Sequence, residues 1–302
     1  MSRILVGSPI RQKPEILKAF LKGLENAEKG ENELSYFFVD DNKVQESTEI
    51  LNSFMCSNNN VILKKGDDLF TSKIDKEYDL HGWRAENIQQ ITCFKDAIIE
   101  YCIEQRFDYL LFVDSDIVLY KKSLLQLISD NVEIVSNVFW TQWNVNRGLF
   151  PQCFWTPDIY VQKDGFGEPI TPEQANKIRR ETDSQLKVPG VYEVKGLGAC
   201  TLIKRSALEK GVRFKEIPTL SVFGEDRHFC VRAGTLGIKL YMDTNYPVYH
   251  IFREEYLSRV DEFMRDGFKF DMCQTFAPEE KEQPKKKTFL QKLKQAAKIM
   301  LE

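Results

Sequence analysis

The sequence lacks several features, and each absence narrows the classes of protein that the chain can represent. No run of about 18 consecutive apolar residues occurs, so no helix is expected to span a membrane. The seven cysteines are scattered without a CxxC pair, which argues against a zinc site and against a disulfide framework. A GxGxxG phosphate-binding motif is absent. The formal net charge of −3 provides no basic field for binding nucleic acid.

What the chain does contain is enough apolar material for a sizeable core. Its 302 residues are 42% hydrophobic, which suits one large α/β domain or two small ones. The apolar stretch 4–6 near the N-terminus is too short for a signal peptide. Because the cysteines lie mostly in apolar contexts and show no pairing, we expect a protein of the reducing cytoplasm.

The stretch 109–118 carries the strongest chemical signal. The apolar run from Tyr109 to Val113 predicts a buried central strand, and Asp114 and Asp116 follow it directly. Two carboxylates in such a place need a partner, because an isolated buried charge costs several kcal/mol. Carboxylate oxygens suit hard ions, so the motif predicts a site for Mg²⁺ or Mn²⁺ at the end of the strand.

Strand and helix patterns alternate along most of the chain. The predicted strands are 4–7, 36–39, 61–63, 109–113, 132–140, 191–194, 199–203, 238–242 and 248–250. The first predicted helix begins at Pro14. Further helices are predicted over 46–60, which turns at 57–60, over 87–105, 123–128 and 205–210, and over the residues after Asp226. This alternation implies parallel βαβ units and therefore an α/β fold.

Two segments depart from this pattern. Residues 141–188 contain Trp143 and Trp155 with little periodicity, and these aromatic side chains either stack on a sugar ring or tether the loop to the body. The tail 279–302 contains a basic amphipathic helix at 285–301. Such a helix is typical of a membrane-surface or partner-binding element, or it docks on its own domain.

Further motifs complete a pattern that belongs to a known family. Asp40 and Asp41 end the second strand, Gly196-Leu197-Gly198 precedes a strand, and Gly224-Glu225-Asp226 precedes a helix, with His250 after a late strand. Together with Val6-Gly7-Ser8-Pro9 and the Asp114-Ser115-Asp116 motif, the chain resembles the GT-A glycosyltransferases over residues 1–255, in particular the family-2-like enzymes. The resemblance implies a single Rossmann-like domain over 1–278, with a central mostly parallel sheet flanked by helices and with 141–188 on the acceptor side.

The resemblance also implies a donor site at the first strands. Ser8, Pro9 and Arg11 would line the nucleotide pocket, and Asp40 would contact the base or the ribose. Asp114 would hold the ribose or support the metal shell. Arg84 and Lys95 flank the helix before the Asp114 strand and are further candidates for reaching a phosphate.

The remaining roles concern the metal and the chemistry. Asp116, with Asp114 and His250, would hold Mn²⁺ or Mg²⁺, which bridges the diphosphate. Asp226 would act as the general base for the acceptor hydroxyl, with Glu225 as its neighbour. A base on an element separate from the metal suits an inverting transfer, which is a hypothesis.

The leading prediction is therefore a metal-dependent glycosyltransferase. It would move a sugar from a nucleotide-diphosphate sugar, with UDP favoured, to a glycan, lipid-linked or protein acceptor, in the cytoplasm or peripherally at the inner membrane face. One alternative is a nucleotidyltransferase, although the loop at Gly7 has one glycine and one arginine where such enzymes carry a basic, glycine-rich loop. The other alternative is an inactive sugar- or partner-binding protein of the same fold.

Overall fold

A computed structural model describes residues 1–71, 85–146, 148–151, 167–220 and 224–274. The predicted amphipathic helix at 285–301 and Trp155 lie outside the described residues, as does Arg84. None of the helices in the described part is long and apolar enough to cross a bilayer.

The centre of the molecule is an eight-stranded mixed sheet. The strands of the described ranges are β1 Arg3–Ile10, β2 Glu33–Asp40, β3 Val61–Lys65, β4 Tyr109–Val113, β5 Ile117–Val118, β6 Ile134–Asn137, β7 Trp140–Thr141, β8 Phe150–Pro151, β9 Val191–Val194, β10 Cys200–Lys204, β11 Leu240–Asp243 and β12 Tyr249–His250. The order across the large sheet is β3-β2-β1-β4-β10-β6-β11-β9. Only β10 and β9 run against the other strands of this sheet. The expected mostly parallel α/β sheet is therefore confirmed.

Helices cover both faces of this sheet. In the described ranges they are α1 Pro14–Asn26, α2 Gln45–Ser57, α3 Gly66–Leu69, α4 Ala85–Glu104, α5 Ser123–Ser129, α6 Pro172–Gln185, α7 Arg205–Glu209, α8 Glu225–Thr235 and α9 Val260–Asp266, with 3₁₀ helices at Glu254–Arg259 and Phe270–Cys273. One apolar core joins α4, α7 and α8 to the sheet, and a second core joins α1, α2 and α5 to the opposite face. The result is a three-layer arrangement.

A smaller two-stranded element holds the late histidine strand beside the carboxyl end of β4. β12 pairs antiparallel with β5, so that His250 lies opposite Ile117. A third apolar cluster, which includes Tyr249, Tyr256 and Phe263, packs this strand pair against α1 and against the segment that follows β12. Because β5 follows the Asp114-Asp116 turn directly, this pairing brings the histidine to those carboxylates.

The structure also corrects the expectation that 141–188 lacks regular structure. The segment includes α6, whose N-terminus forms a capping box between Thr171 and Gln174, with Pro172 in the first turn. None of the residues of α6 is buried. The apolar periodicity that predicts a helix was therefore absent, although the capping signal was present in the sequence.

Candidate active site

One cavity of about 530 Å³ lies beyond the carboxyl ends of β1, β2 and β4. The carboxyl ends of parallel strands meet at one edge of a sheet, and ligands of open α/β folds bind there. Its walls come from the β1 end, from one face of α4, from the turn after β4, from the start of α8 and from the segment after β12. The lining side chains with polar or aromatic character include Arg11, Lys13, Asp41, Asn87, Gln90, Lys95, Asp114, Ser115, Asp116, Glu225, Phe252, Arg253, Glu254 and Glu255.

The turn after β4 places Asp116 next to His250. The carboxylate Oδ2 of Asp116 is 3.3 Å from His250 Nε2. The backbone N–H of Ile251 donates to the Asp116 carbonyl at 2.8 Å, which fixes the two segments together. On the other side of the imidazole, Thr141 Oγ1 lies 2.7 Å from Nδ1. The ring orientation is thus set by a second group, as is common for histidines that bind metals.

Asp114 has a different environment from Asp116. Its backbone N–H donates to the Ala199 carbonyl at 2.7 Å, which places Asp114 directly at the carboxyl end of β4. Burial raises the pKa of Asp114 to about 8, although the nearby Lys95 ammonium acts to lower it. At neutral pH this favours a protonated Asp114 beside an Asp116 that faces the histidine.

These residues match the expected metal site only in part. Within the described residues, no group of three or more histidine, cysteine or acidic side chains is arranged to hold a metal ion. Asp116 and His250 do form a pair of oxygen and nitrogen donors at the cavity, a set that suits Mn²⁺. The pair would fill two positions of a coordination shell, and the remaining positions would fall to water or substrate.

A buried lysine joins α4 to α8 on the other side of the cavity. The Lys95 side chain is only 5% exposed, and its Nζ lies 2.8 Å from Glu225 Oε1 and 3.0 Å from Asp226 Oδ1. The ammonium also lies over the Phe214 ring, 4.7 Å from its centroid. Burial alone would lower the pKa of Lys95, but the carboxylates of Asp226, Glu225 and Asp114 raise it well above its usual value.

The local sequence explains why the two carboxylates lie at this point. Gly224 precedes α8 with φ of 107°, a conformation that favours glycine, and the first turn follows at once. Acidic side chains in the first turn are stabilised by the helix dipole. Glu225 is buried and faces the large cavity, whereas Asp226 faces a small adjoining cleft and keeps 28% of its side chain exposed.

The pKa of Asp226 is consistent with a group that can accept a proton. Burial raises the pKa of Asp226 to about 6, although Lys95 acts to lower it. A general base works best when its pKa lies near the working pH. The predicted catalytic role of Asp226 remains a prediction.

The β1 and β2 ends form the opposite wall. Pro9 and Arg11 line the cavity, whereas Ser8 is fully buried in β1. Arg11 Nη2 is 2.5 Å from Asp41 Oδ2, and the Gln90 amide donates to the other oxygen of Asp41 at 3.2 Å.

The neighbouring carboxylates Asp40 and Asp41 therefore differ in position. Asp40 accepts two hydrogen bonds from Asn42, one from the backbone N–H at 3.1 Å and one from the amide at 2.7 Å. Asp41, rather than Asp40, lines the cavity. The role assigned to Asp40 stays a prediction, and Asp41 becomes the nearer candidate for the nucleotide.

The sequence also matches a family model over its first two thirds. Residues 1–193 match the model of "Glycosyltransferase family 25, N-terminal domain". The chain belongs to glycosyltransferase family 25. The expected GT-A glycosyltransferase is thereby confirmed, and the family is family 25 where the motifs had suggested family-2-like enzymes. The matched residues include Lys95, Asp114 and Asp116 and end before Asp226 and His250.

Relatives of this family 25 chain extend well beyond it. A "Glycosyltransferase 25 family member" of Aedes aegypti is 23% identical over 199 residues, which cover 63% of this chain and 30% of that protein. The chain thus spans less than a third of the length of that relative. Among solved structures, S. aureus TarS 1-349 has a TM-score of 0.46 at 12% identity, covering 87% of this chain and 69% of TarS. The same fragment in complex with UDP has a TM-score of 0.46 at 14% identity, covering 82% and 60% of the two chains.

Sequence reasoning undervalued two residues of this family 25 site. Lys95 was predicted to contact a phosphate, yet it is the cation that joins Glu225 and Asp226. Thr141 received no role, yet it contacts the histidine that faces Asp116. No local pattern identifies either residue, because their partners lie 109 to 131 positions away in the sequence.

Proposed function

We propose that this chain transfers a sugar from a nucleotide-diphosphate sugar to a hydroxyl group of an acceptor, with a divalent metal ion. The observation that carries the proposal is the convergence of three groups on one cavity of a family 25 fold. These groups are the Asp116–His250 pair, the Lys95 network and the Arg11–Asp41 pair. The cavity volume of about 530 Å³ falls within the usual range for pockets that bind small molecules and cofactors.

The metal would be held by Asp116 and His250, with Asp114 as a further carboxyl group in the same turn. When bound, Mn²⁺ or Mg²⁺ would supply positive charge for the leaving diphosphate. Thr141 fixes the imidazole so that Nε2 faces the carboxylate of Asp116. Asp114 would need to lose its proton before it could also bind the cation.

The donor would lie along the β1 and β2 ends. Pro9 and Arg11 offer an apolar surface and a guanidinium group there, and Gln90 and Asp41 offer polar contacts for a base or ribose. The resemblance to GT-A enzymes favours UDP as the nucleotide. The acceptor class, the cytoplasmic location and a membrane contact through 285–301 stay predictions.

The transfer itself would use the start of α8. The acceptor oxygen forms a bond to the anomeric carbon, the bond from that carbon to the diphosphate oxygen breaks, and the diphosphate leaves with the electron pair. The acceptor proton passes to the carboxylate of Asp226. Lys95 positions Asp226 by its contact at 3.0 Å and keeps this carboxylate ionised. This arrangement supports inversion, and a product that retains the donor configuration would contradict it.

A thermal-shift panel tests the proposal directly. The full chain is melted with UDP, GDP and their sugar conjugates, each with and without Mn²⁺. A ligand at 100 times its Kd stabilises a fold by about 2.7 kcal/mol, which corresponds to roughly 2 °C or more at this chain length. We expect stabilisation by one nucleotide only when the metal is present, and loss of that shift in Asp116→Asn.

The matched control is Asp261→Asn, which makes the same chemical change far from the cavity. Asp261 is an exposed residue that pairs with Lys22 on the surface. This variant should keep the full metal-dependent shift. If no nucleotide raises the melting temperature, the proposal is wrong. Metal-dependent nucleotide binding without turnover of any donor would favour the inactive binding protein, and pyrophosphate release from a nucleoside triphosphate would favour the nucleotidyltransferase.

A further inference from the structure

A large aromatic side chain lies exposed beside the cavity. Trp143 is 53% exposed, and it is the only tryptophan among the exposed large apolar side chains of the described residues. Its ring contacts the Phe252 ring edge to face, with centroids 4.9 Å apart and an interplanar angle of 74°. Phe252 lines the cavity, so the exposed indole lies against the outer side of one of the cavity's lining residues.

The backbone that carries this indole is held in place by Arg253. Its guanidinium donates to the carbonyl of Gln142 at 2.9 Å and to the carbonyl of Trp143 at 3.2 Å. A further hydrogen bond joins it to the Tyr256 hydroxyl oxygen at 3.1 Å. An exposed indole leaves apolar surface in water, and here a fixed backbone keeps it in that position.

The same segment is connected to the proposed metal site. Thr141, two residues before Trp143, is fully buried and contacts His250. The His250 ring in turn packs near the Phe252 ring, with centroids 5.6 Å apart. The indole therefore has a defined position relative to the histidine that faces Asp116. A group bound on it lies beside the proposed reaction centre rather than on a remote surface.

We propose that Trp143 is the stacking platform for a sugar ring of the acceptor, so that the acceptor is a glycan. This inference rests on the proposed function, because it assigns the second substrate of the same cavity. A pyranose ring has an apolar face of C–H groups that covers an indole, while its hydroxyl groups need polar partners. Glu254 and Glu255 supply carboxylates on the cavity wall next to Phe252, and pockets of this kind combine aromatic surfaces with a few polar groups.

The charge of this wall favours a neutral sugar over an anionic lipid surface. Both carboxylates are exposed residues, and they are balanced by two cations of the same wall, because Lys13 pairs with Glu254 and Arg253 lies beside Glu255, so the wall carries no net charge. A phosphate-rich membrane surface finds no excess of positive charge there, whereas sugar hydroxyls can donate hydrogen bonds to the exposed carboxylate oxygens.

The first test observes the indole itself. The full chain is labelled with 5-fluorotryptophan, and the Trp143→Phe variant identifies the fluorine resonance of residue 143 among those of the four tryptophans. The probes are methyl β-glucoside, methyl β-galactoside and methyl N-acetyl-β-glucosaminide, each with and without UDP and Mn²⁺. We expect a saturable shift of this resonance with at least one glycoside and none with sorbitol, which carries hydroxyl groups but no ring.

The second test separates acceptor binding from donor binding. For a glycoside that accelerates UDP release from a UDP-sugar, Trp143→Ala should raise the acceptor KM roughly 3- to 10-fold. The donor KM and the shift of the melting temperature with UDP should stay unchanged, and Trp143→Phe should recover part of the loss. The control Leu236→Ala removes another exposed apolar side chain, away from the cavity, and should change neither KM.

Two outcomes would overturn the inference. One is a Trp143 resonance that no glycoside shifts more than sorbitol does, although UDP and Mn²⁺ stabilise the chain. The other is a resonance shifted only by vesicles of phosphatidylglycerol, which would make this face a membrane contact. If glycosides shift the resonance but no nucleotide binds, the sugar platform stands and the proposed transfer fails, so the two failures are distinguishable.

Discussion

The sharpest prediction concerns the buried ammonium group of Lys95. Lys95→Met keeps most of the volume of the side chain and removes the charge. Glu225 and Asp226 then lose the cation that lies 2.8 and 3.0 Å away, and Asp114 loses the charge that acts to lower its pKa. Removal of one partner from a buried ion pair costs about 3–5 kcal/mol of unfolding free energy.

The size of this loss should depend on pH, and the sign follows from the carboxyl groups. The folded-state pKa values of Asp114 and Asp226 already lie above those of an unfolded chain, at about 8 and about 6. When a carboxyl pKa is higher in the folded state, the folded state binds more protons, so the unfolding free energy decreases as the pH rises. Loss of the Lys95 charge raises the pKa values of Asp114 and Asp226 further. The variant should therefore lose about 3–5 kcal/mol at pH 8 and clearly less at pH 5, where the carboxyl groups accept protons.

Urea unfolding at pH 5.0, 6.5 and 8.0 measures this dependence. The matched control is Lys239→Met, because Lys239 forms an ion pair with Glu193 on the surface with its side chain 65% exposed. Because this pair lies in solvent and is screened, its removal should leave the unfolding free energy nearly unchanged at all three pH values. A Lys95→Met loss that is the same at pH 5 and pH 8, or below about 1 kcal/mol at pH 8, would refute the reasoning.

Three further predictions concern the proposed general base, the carboxyl pair Asp130–Asp243 and the close packing of β1 against α4 at Gly7. Asp226→Asn should lower kcat at least about 100-fold while UDP binding is retained. The wild-type kcat/KM should decrease below pH 6, where Asp226 gains a proton. A variant as active as the wild type would show that Asp226 is not the general base. Burial, and to a smaller extent the neighbouring Asp243, raises the pKa of Asp130 to about 7. The unfolding free energy should therefore fall by on the order of 1–2 kcal/mol as the pH rises from about 4 to about 7. Asp130→Asn should flatten that fall in urea titrations. Gly7→Ala places a Cβ atom 2.5 Å from a side chain of α4 and should lose about 1–3 kcal/mol in urea unfolding. The control Gly234→Ala meets open space inside α8 and should gain about 0.5–1 kcal/mol.

Much of the architecture is predictable because it is encoded in local patterns. The apolar run before Asp114 predicted β4, and the helical spacing of residues such as Ile98 and Cys102 predicted α4. Both elements are present with bounds within about two residues of the expectation. A strand that is apolar on both faces must be central, and the end of such a strand is where an α/β sheet binds its ligands. The position of the cavity therefore followed from sequence.

Patterns also fail where local structure and burial disagree. α6 lacks an apolar stripe because none of its residues is buried, so periodicity gave no indication of it. The stretch 132–140 was predicted as one strand but divides into β6 and β7, because Asn137 ends the pairing with β11 and the chain then turns toward β8. In both cases the surroundings of the chain, rather than its apolar pattern, set the element.

The sequence by itself determined which chemistry the chain carries: two carboxylates at a strand end, two more at a helix start and a late histidine. Only the tertiary structure decided which of these side chains meet. It brought Lys95 to Glu225 and Asp226, turned Asp41 instead of Asp40 into the cavity, and set Trp143 beside it. The physical reason is that strand and helix patterns depend on neighbours within a few residues. Ion pairs and ring contacts instead depend on segments a hundred residues apart, which come together only when the sheet is assembled.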